Sequence, residues 1–413
     1  MNPSDSTTQL ERVGWPFGDA EGPGNAVTSF LNSLTARPQV FGLGEPTHGL
    51  DELPRLRNRI IEHLVEHEGY RSVALESDCL AGLIVDDFIS GATDSLDGTM
   101  RAGFSHGFGE SAANRELVAW MAEQNRSRDP GDRLRFYGFD APTEMMYASS
   151  PRAALIALHD YLATHLDAVT HGRDTIAALV GDDDRWTNPA AAMDPTQSVG
   201  ASDEVIRLRV IADDLGAQLL SETPRLVTAT SQDDWWRATL WARAASGLLR
   251  YHAGMADTAP NRVGRLMALR DAMMAENLLD IAARERQRGP VLVFAHNGHL
   301  QKNPGRWLLA DMQLTWWTAG AIAAAAHLGD EYATLAIAFG AAPERGLDAP
   351  SPETVEGTLA ALPATGYVFT AAALANAVGD APPRTDQTPR QGYFPVEALH
   401  LDGVDGVLFI REV

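Results

Sequence analysis

Short apolar runs alternate with amphipathic segments along most of this 413-residue chain. Short apolar runs bounded by turn residues are typical of buried strands. Between the first two runs, apolar side chains recur at helical spacing over residues 52–68, which predicts an amphipathic helix. Alternation of this kind predicts an α/β fold with a mainly parallel sheet flanked by helices. The predicted strands are 40–43, 72–75, 134–139, 291–294, 333–339, 367–369 and 407–410.

Residues 150–288 interrupt this alternation because they contain long helical patterns and no convincing strand. We therefore predict an α/β core over 25–149 and 289–413, with a helical insertion over 150–288. Residues 1–24 are polar and rich in glycine and proline, which predicts a loosely ordered lead-in. A loop over 182–202 interrupts the insertion, and its length is compatible with a lid or with disorder. The predicted helices are 26–36, 151–166, 203–222, 232–254 and 263–286.

The formal net charge of -22 limits the choice of partners. A negative field repels phosphate backbones and anionic lipid, so we expect neither nucleic acid nor a membrane as a partner. The single cysteine, Cys79, excludes an internal disulfide. The N-terminal residues lack a basic start followed by an apolar segment, and no apolar stretch reaches membrane-spanning length. We expect a cytoplasmic protein, and the sequence leaves its oligomeric state open.

Four predicted strands end in carboxylate or imidazole side chains. The carboxyl ends of parallel strands build the ligand crevice in open α/β sheets, so these side chains are expected to converge. Converging acids and imidazoles shift one another's pKa values toward those that acid–base catalysis needs. Taken singly, Asp140 could cap a turn, and Glu76 could form a structural ion pair with Arg55 or Arg57. The strand-end residues are Glu45 with His48, Glu76, Asp140, and His296 with His299.

The cluster indicates an active site in which a carboxylate holds an imidazole that activates water. Arg55, near the start of the helix after the first cluster, offers a cation to an oxyanion or to a carboxylate. The expected ligand is a small molecule.

Several blocks of the chain, from about residue 40 to 303, resemble the erythromycin esterase family in order and spacing. The resemblance implies an α/β core with helical elaboration around a deep cleft. It also implies hydrolysis of a macrolide lactone ester by a histidine-activated water, with no serine nucleophile and no cofactor. The blocks are 44–49 (GEPTHG), 73–78 (VALESD), 136–140 (FYGFD), 270–277 (RDAMMAEN) and 295–299 (AHNGH).

The same resemblance implies roles for individual residues. His48, assisted by Glu45, becomes the general base. His296, His299 and Arg55 stabilise the oxyanion or supply the leaving-group proton, and Glu76 orients a histidine.

Two other functions remain open. The segment 105–117 lacks the tryptophan that the family pattern has ahead of Glu116. A natural-product biosynthetic enzyme could use the same acid–base site for cyclisation, elimination or acyl transfer. A non-catalytic ligand-binding protein is the third alternative, although such a protein has no chemical need for the four residues Glu45, His48, Glu76 and His296.

Other motifs have simpler explanations. Residues 103–107 (GFSHG) match a serine nucleophile elbow, but no predicted strand precedes them. Residues 63–67 (HLVEH) match a zinc motif, but they face away from the apolar stripe of their helix. Metal dependence at His48, His296, His299 and Glu45 is an alternative to the metal-free site. The tryptophan pairs 235–236 and 316–317 could line a pocket, although core packing explains such pairs more often.

Overall fold

The computed structural model describes residues 3–144, 147–309, 312–387 and 392–413. The strands of these residues are β1 (Trp15–Phe17), β2 (Val40–Glu45), β3 (Ser72–Asp78), β4 (Arg135–Asp140), β5 (Thr143–Glu144), β6 (Tyr147–Ala148), β7 (Val291–His296), β8 (Gly305–Leu309), β9 (Met312–Trp316), β10 (Tyr332–Ala341), β11 (Gly366–Thr370) and β12 (Gly406–Glu412).

The α-helices of the same residues are α1 (Pro3–Val13), α2 (Gly24–Ser33), α3 (Glu52–His67), α4 (Gly82–Ile89), α5 (Leu96–Ala102), α6 (Ala112–Arg126), α7 (Arg152–His165), α8 (Arg173–Val180), α9 (Asp203–Ser221), α10 (Thr223–Ala229), α11 (Gln232–Met255), α12 (Arg262–Glu285), α13 (Asn297–Leu300), α14 (Ala319–Ala323), α15 (Val355–Ala360) and α16 (Ala371–Val378).

Eight strands form one sheet in the order β1-β11-β12-β10-β2-β7-β3-β4. All neighbouring pairs from β12 to β4 are parallel. At the other edge, β11 runs antiparallel to β12 and β1 runs antiparallel to β11. The predicted mainly parallel α/β fold is confirmed, and each of the seven predicted strands is present in this sheet.

The two faces of the sheet pack against different groups of helices because successive side chains of a strand point to opposite faces. Val40 packs on one face with residues of α7, α9, α11 and α12. Phe41 and Leu43, which alternate with it, pack on the other face with residues of α2, α3 and α6. Burial on both faces explains why the strands are continuous apolar runs.

The prediction of a loosely ordered lead-in over 1–24 is wrong for its described residues. Helix α1 and strand β1 occupy most of this segment, and Leu10 of α1 is fully buried among residues of β10 and β12. Strand β1 is three residues long and pairs with β11, which lies about 350 positions later in the chain. So short a strand gives no periodic signal, and its partner is remote. Residues 1 and 2 lie outside the described part of the protein.

The segment predicted as a helical insertion contains only helical elements from Arg152 to Glu285. The loop over 182–202 forms four short 3-10 turns and packs on this helical layer. Its Trp186 is 1% exposed and donates a hydrogen bond to the Val180 carbonyl oxygen. Its Ala191 packs with Leu248 of α11 and Leu266 of α12. The separation of core and insertion into domains stays a prediction. None of the described helices combines the length and apolar character needed to span a bilayer.

Candidate active site

Four adjacent strands, β2, β7, β3 and β4, end in the candidate catalytic side chains. Glu45 and His296 are register partners at the ends of β2 and β7. The pairing of β3 with β4 is irregular between Leu75 and Asp78, the stretch that contains Glu76. Such an irregularity re-aims a side chain, and here it lies beside the strand that ends in Asp140. The sequence predicted that these four strands end at the same edge of the sheet, and in the structure they do.

His48 follows β2 and is the most accessible imidazole of the cluster, with 40% of its side chain exposed. Its Nδ1 lies 2.7 Å from Oε1 of Glu45, whose residue is 4% exposed. Its Nε2 lies 3.8 Å from Oε1 of Glu76, beyond hydrogen-bond distance. Nδ1 is therefore bound to a carboxylate at hydrogen-bond distance, whereas Nε2 is not within that distance of Glu76.

The environment shifts the pKa of both members of this pair upward. Burial raises the pKa of Glu45, and the hydrogen bond with His48 offsets only part of that rise. Burial by itself lowers the pKa of His48, but the charge of Glu76 and the hydrogen bond with Glu45 outweigh it, and the pKa is raised. The His48 imidazole is thus made more basic by two carboxylates on either side of it.

Glu76 lies behind His48 and is held by groups from three elements. Its Oε1 accepts a hydrogen bond from Nη2 of Arg270 at 2.9 Å and lies 3.3 Å from Nε2 of His299. Its Oε2 accepts a hydrogen bond from the backbone N–H of His296 at 2.7 Å. Nδ1 of His299 lies 2.9 Å from Oδ1 of Asp271. A buried network of alternating charges therefore holds Glu76 in place beside His48.

This network fixes opposite charges on Glu76 and His299. Burial by itself raises the pKa of Glu76, but His299, His48 and Arg270 outweigh it and hold the pKa well below its usual range. Burial likewise opposes a charge on His299, but Asp271 and Glu76 raise its pKa to about 10. At neutral pH Glu76 is a carboxylate and His299 is an imidazolium.

His296 occupies the site in its neutral form. Its Nδ1 accepts a hydrogen bond from the backbone N–H of Gly298 at 3.1 Å, and the ring also bonds the backbone of Pro46. Burial, and next to it the charge of His48, lower its pKa to about 3. Its ring packs against His48 at 5.4 Å and against Phe394 at 4.6 Å, measured between ring centroids. These contacts suit a residue that positions His48.

A second imidazole–carboxylate pair lies beside the first. Asp140 is fully buried, and its carboxylate accepts hydrogen bonds from Arg270 at 2.5–3.2 Å. Nε2 of His106 lies 2.9 Å from Oδ2 of Asp140, and Nδ1 of His106 lies 2.9 Å from Oε2 of Glu144. Arg270 therefore joins Glu76 to Asp140, and so links the His48 and His106 environments.

A cavity of about 400 Å3 opens onto these groups, a size typical of small-molecule sites. Of the residues predicted for the site, Glu45, His48 and Glu76 line it, whereas His296 and His299 are not among its lining residues. Its lining comprises Glu45, His48, Gly49, Leu50, Asp51, Pro54, Arg57, Leu75, Glu76, His106, Gly107, Phe108, Glu110, Ser111, Asn114 and Phe294.

The structure does not bring Arg55 into the site. Its side chain is 46% exposed, and its guanidinium lies 3.7 Å from the Asp51 carboxylate and 3.7 Å from that of Glu52. Arg57 lines the cavity instead, is 1% exposed, and packs over the ring of Phe294 at 4.9 Å. Two positions on a helix differ by about 200° around its axis, so Arg55 and Arg57 point to nearly opposite sides of α3. The arginine that lines the cavity is therefore Arg57, and the expectation of Arg55 in the site is wrong.

Sequence reasoning also missed Arg270, Asp271 and His106 as parts of the site. Arg270 and Asp271 were present in one of the resembling blocks, but nothing local gave them a role. His106 lies in the GFSHG segment, which the sequence presents as a possible serine nucleophile elbow and not as a histidine site. The sequence signal that could have identified His106 is a histidine next to a glycine in a predicted turn.

Ser105 of the GFSHG segment and the histidines of the zinc motif have structural contacts. Helix α5, not a strand, precedes the GFSHG segment, and Oγ of Ser105 accepts a hydrogen bond from the Asp78 backbone N–H. His67 is exposed, and Nε2 of His63 contacts the Thr28 hydroxyl. Among the described residues, no group of three or more histidine, cysteine and acidic side chains is arranged to hold a metal ion. The two tryptophan pairs do not line the cavity.

Comparison with known proteins assigns the chain to a family. The erythromycin esterase family model matches residues 65–413. The chain belongs to the erythromycin esterase family. The family match begins after Glu45 and His48, so their assignment to the site rests on the geometry. Membership supports an esterase-like hydrolase.

Individual members of the erythromycin esterase family are distant relatives. The chain is 23% identical to erythromycin esterase type II of Escherichia coli over 74% of this chain and 70% of that one. It is 24% identical to the type I enzyme of Escherichia coli over 66% and 64% respectively, slightly under two thirds of that relative's length.

Solved structures share the fold of this family member. A Bacillus cereus protein superposes with a TM-score of 0.74 at 16% identity, over 100% of this chain and 98% of that one. A mutant of the erythromycin esterase EreC in its open conformation superposes with a TM-score of 0.65 at 18% identity, over 93% of each chain.

Proposed function

We propose that this protein hydrolyses an ester or lactone of a macrolide or a related natural product with a water activated by His48. The observation that carries the proposal is the arrangement of the His48 ring. Nδ1 lies 2.7 Å from Oε1 of Glu45, Nε2 lies 3.8 Å from Oε1 of Glu76, and the residue lines the cavity. A carboxylate that orients an imidazole so that its other nitrogen can accept a proton is the arrangement of a general base.

In the proposed reaction, Nε2 of His48 takes a proton from water as the water oxygen attacks the carbonyl carbon. Glu45 accepts the hydrogen bond from Nδ1 and stabilises the imidazolium that forms. Glu76 lies close enough to favour the same charge. Its own negative charge is secured by Arg270 and His299, so it does not compete for the proton.

Arg57 is the proposed electrophile. Burial lowers its pKa to about 10, so it remains a cation at neutral pH. Arg57 lines the cavity, and its guanidinium donates hydrogen bonds to Oδ1 of Asn58 at 2.7 and 3.1 Å. A cation of this kind in a site shielded from water stabilises the negative oxygen of a tetrahedral intermediate.

Mass spectrometry of macrolides and simple lactones incubated with the protein tests the proposal. We expect a product that has gained one water, present with the wild type and with the surface variant His67→Ala, and absent with His48→Ala. Addition of a chelator should leave the product unchanged. Loss of activity with chelator would make the histidines ligands, and a product without added water would favour the biosynthetic alternative.

A further inference from the structure

His106 is a second imidazole in the cavity, and its surroundings differ from those of His48. Both of its ring nitrogens lie 2.9 Å from carboxylate oxygens, one of Asp140 and one of Glu144. A ring that contacts two carboxylates in this way donates from both nitrogens, which requires the imidazolium form. In His48, by contrast, only Nδ1 lies within hydrogen-bond distance of a carboxylate, since Nε2 is 3.8 Å from Glu76. The contacts of the two imidazoles with carboxylates therefore differ.

The charged groups around His106 favour the imidazolium. Burial lowers its pKa, but the hydrogen bond and the charge of Asp140 outweigh this, and the pKa is raised. Glu144 adds to the rise and Arg270 opposes it. The remaining acid nearby is Asp78, whose pKa burial raises to about 6. These contacts favour the protonated form of His106, which is the form that can donate a proton.

The backbone holds His106 toward the cavity at a conformational cost. Its φ is +57°, in the left-handed region, and among the described residues it is the one non-glycine residue with positive φ. Its backbone N–H donates to Oε1 of Glu144 at 2.9 Å, and the preceding Ser105 is bonded to the end of β3. Outliers that the surroundings hold in place cluster at functional sites.

Phe108 places the two imidazoles around one space. Its ring centroid lies 5.4 Å from that of His48 and 5.7 Å from that of His106, and all three residues line the cavity. A substrate over Phe108 is therefore near both imidazoles.

We propose that His106 is the general acid that protonates the leaving alcohol of the substrate; this rests on the proposed ester hydrolysis. Collapse of the tetrahedral intermediate breaks the bond between the carbonyl carbon and the alkoxide oxygen. The electron pair stays on that oxygen, which replaces the Glu144 carboxylate at Nδ1 of His106 and takes the Nδ1 proton. His106 becomes neutral and keeps its Nε2–H bonded to Asp140. The proton gained by His48 leaves to solvent, and His106 is reprotonated from solvent.

The leaving group decides the test. An alkoxide is a strong base and needs a proton to depart, whereas p-nitrophenolate is a weak base and leaves without one. We compare ethyl butyrate with p-nitrophenyl butyrate for the wild type and His106→Gln. The expected result is a fall in kcat of about 100-fold or more on the ethyl ester, within the range for general acids, and of less than about threefold on the nitrophenyl ester. His171→Gln is the matched control, since His171 also contacts a carboxylate, Asp214, at 2.7 Å but lies outside the cavity.

The outcomes separate the inference from the function on which it rests. Equal losses on both esters, or no loss on either, would overturn the role of His106 while ester hydrolysis stands. A wild type inactive on both esters, on lactones and on macrolides would remove the proposed function and this inference with it.

Glu144→Gln guards against a His106 variant that does not fold. Removal of the Glu144 charge lowers the pKa of His106 and moves the alkaline limb of the pH–rate profile to lower pH on the ethyl ester. An alkaline limb that stays in place, or that moves equally on the nitrophenyl ester, would contradict the inference.

Discussion

Nε2 of His48 lies 3.8 Å from Oε1 of Glu76, too far for a hydrogen bond and close enough for the carboxylate to raise the pKa of the imidazole. Arg270 and His299 keep Glu76 charged, so its effect on His48 persists throughout the neutral range. The geometry couples the basicity of the proposed base to a carboxylate that does not itself accept the proton.

This coupling predicts a shift in the pH dependence of the Glu76→Gln variant. A general base acts when it is neutral, so activity rises as pH rises through the pKa of His48, which is raised above its ordinary value of 6.5. Removal of the Glu76 charge lowers that pKa, and the acid limb of kcat/KM moves to lower pH. A pH–rate profile measures the shift. Glu52→Gln, on the exposed side of α3, should leave the limb in place, and an acid limb unmoved in Glu76→Gln would exclude the coupling.

The two arginines of α3 give a paired prediction. Arg57→Gln should lower kcat by about 10²- to 10³-fold, the loss typical when one oxyanion donor is removed. Arg55→Gln should leave kcat unchanged, because its guanidinium contacts surface carboxylates. Steady-state kinetics on a lactone or ester that the wild type cleaves provide the measurement, with thermal melting to show that both variants fold. A larger loss of kcat in Arg55→Gln than in Arg57→Gln would show that Arg55, and not Arg57, acts in the site.

His296 should support catalysis without contributing an ionisation. Its ring hydrogen bonds and its pKa of about 3 keep it neutral wherever the enzyme works. We expect His296→Gln to reduce kcat, since the ring packs against His48, and to retain both limbs of the pH–rate profile between about pH 5 and 9. Disappearance of a limb in this variant would mean that His296 itself donates or accepts a proton.

Asp271 should contribute to both stability and the charge of His299. Its buried carboxylate accepts hydrogen bonds from Nε1 of Trp316 and from the Ala319 backbone N–H, and it contacts His299. Breaking a buried charge pair costs about 3–5 kcal/mol, so Asp271→Asn should lower the free energy of unfolding by about that amount.

Urea unfolding at neutral pH measures this loss. The control is Asp97→Asn, which removes one member of an exposed ion pair with Arg115 and should leave the unfolding midpoint in place. Matching midpoints for the Asp271→Asn variant and the wild type would show that the network does not stabilise the fold.

The apolar pattern was sufficient for the sheet because each central strand is buried on both faces and reads as a continuous apolar run. It failed for β1, three residues long and paired with β11 far along the chain. It also placed Glu45, His48 and Glu76 at the cavity, since the carboxyl ends of parallel strands meet at one edge. The position of Arg55 near the start of the helix, together with the family resemblance, led us to expect it in the site, two positions away from the arginine that lines the cavity.

The sequence by itself determined the parallel sheet and the strands whose ends form the crevice, because apolar runs and the alternation of strands with helices are local patterns in the chain. The tertiary structure decided which charges meet there. Arg270 reaches Asp140 across 130 positions and joins it to Glu76, and His106 reaches the same Asp140 across 34. Only the packing of α12 and of the GFSHG turn against the strand ends fixes these contacts, because each depends on distances between segments that no local pattern encodes.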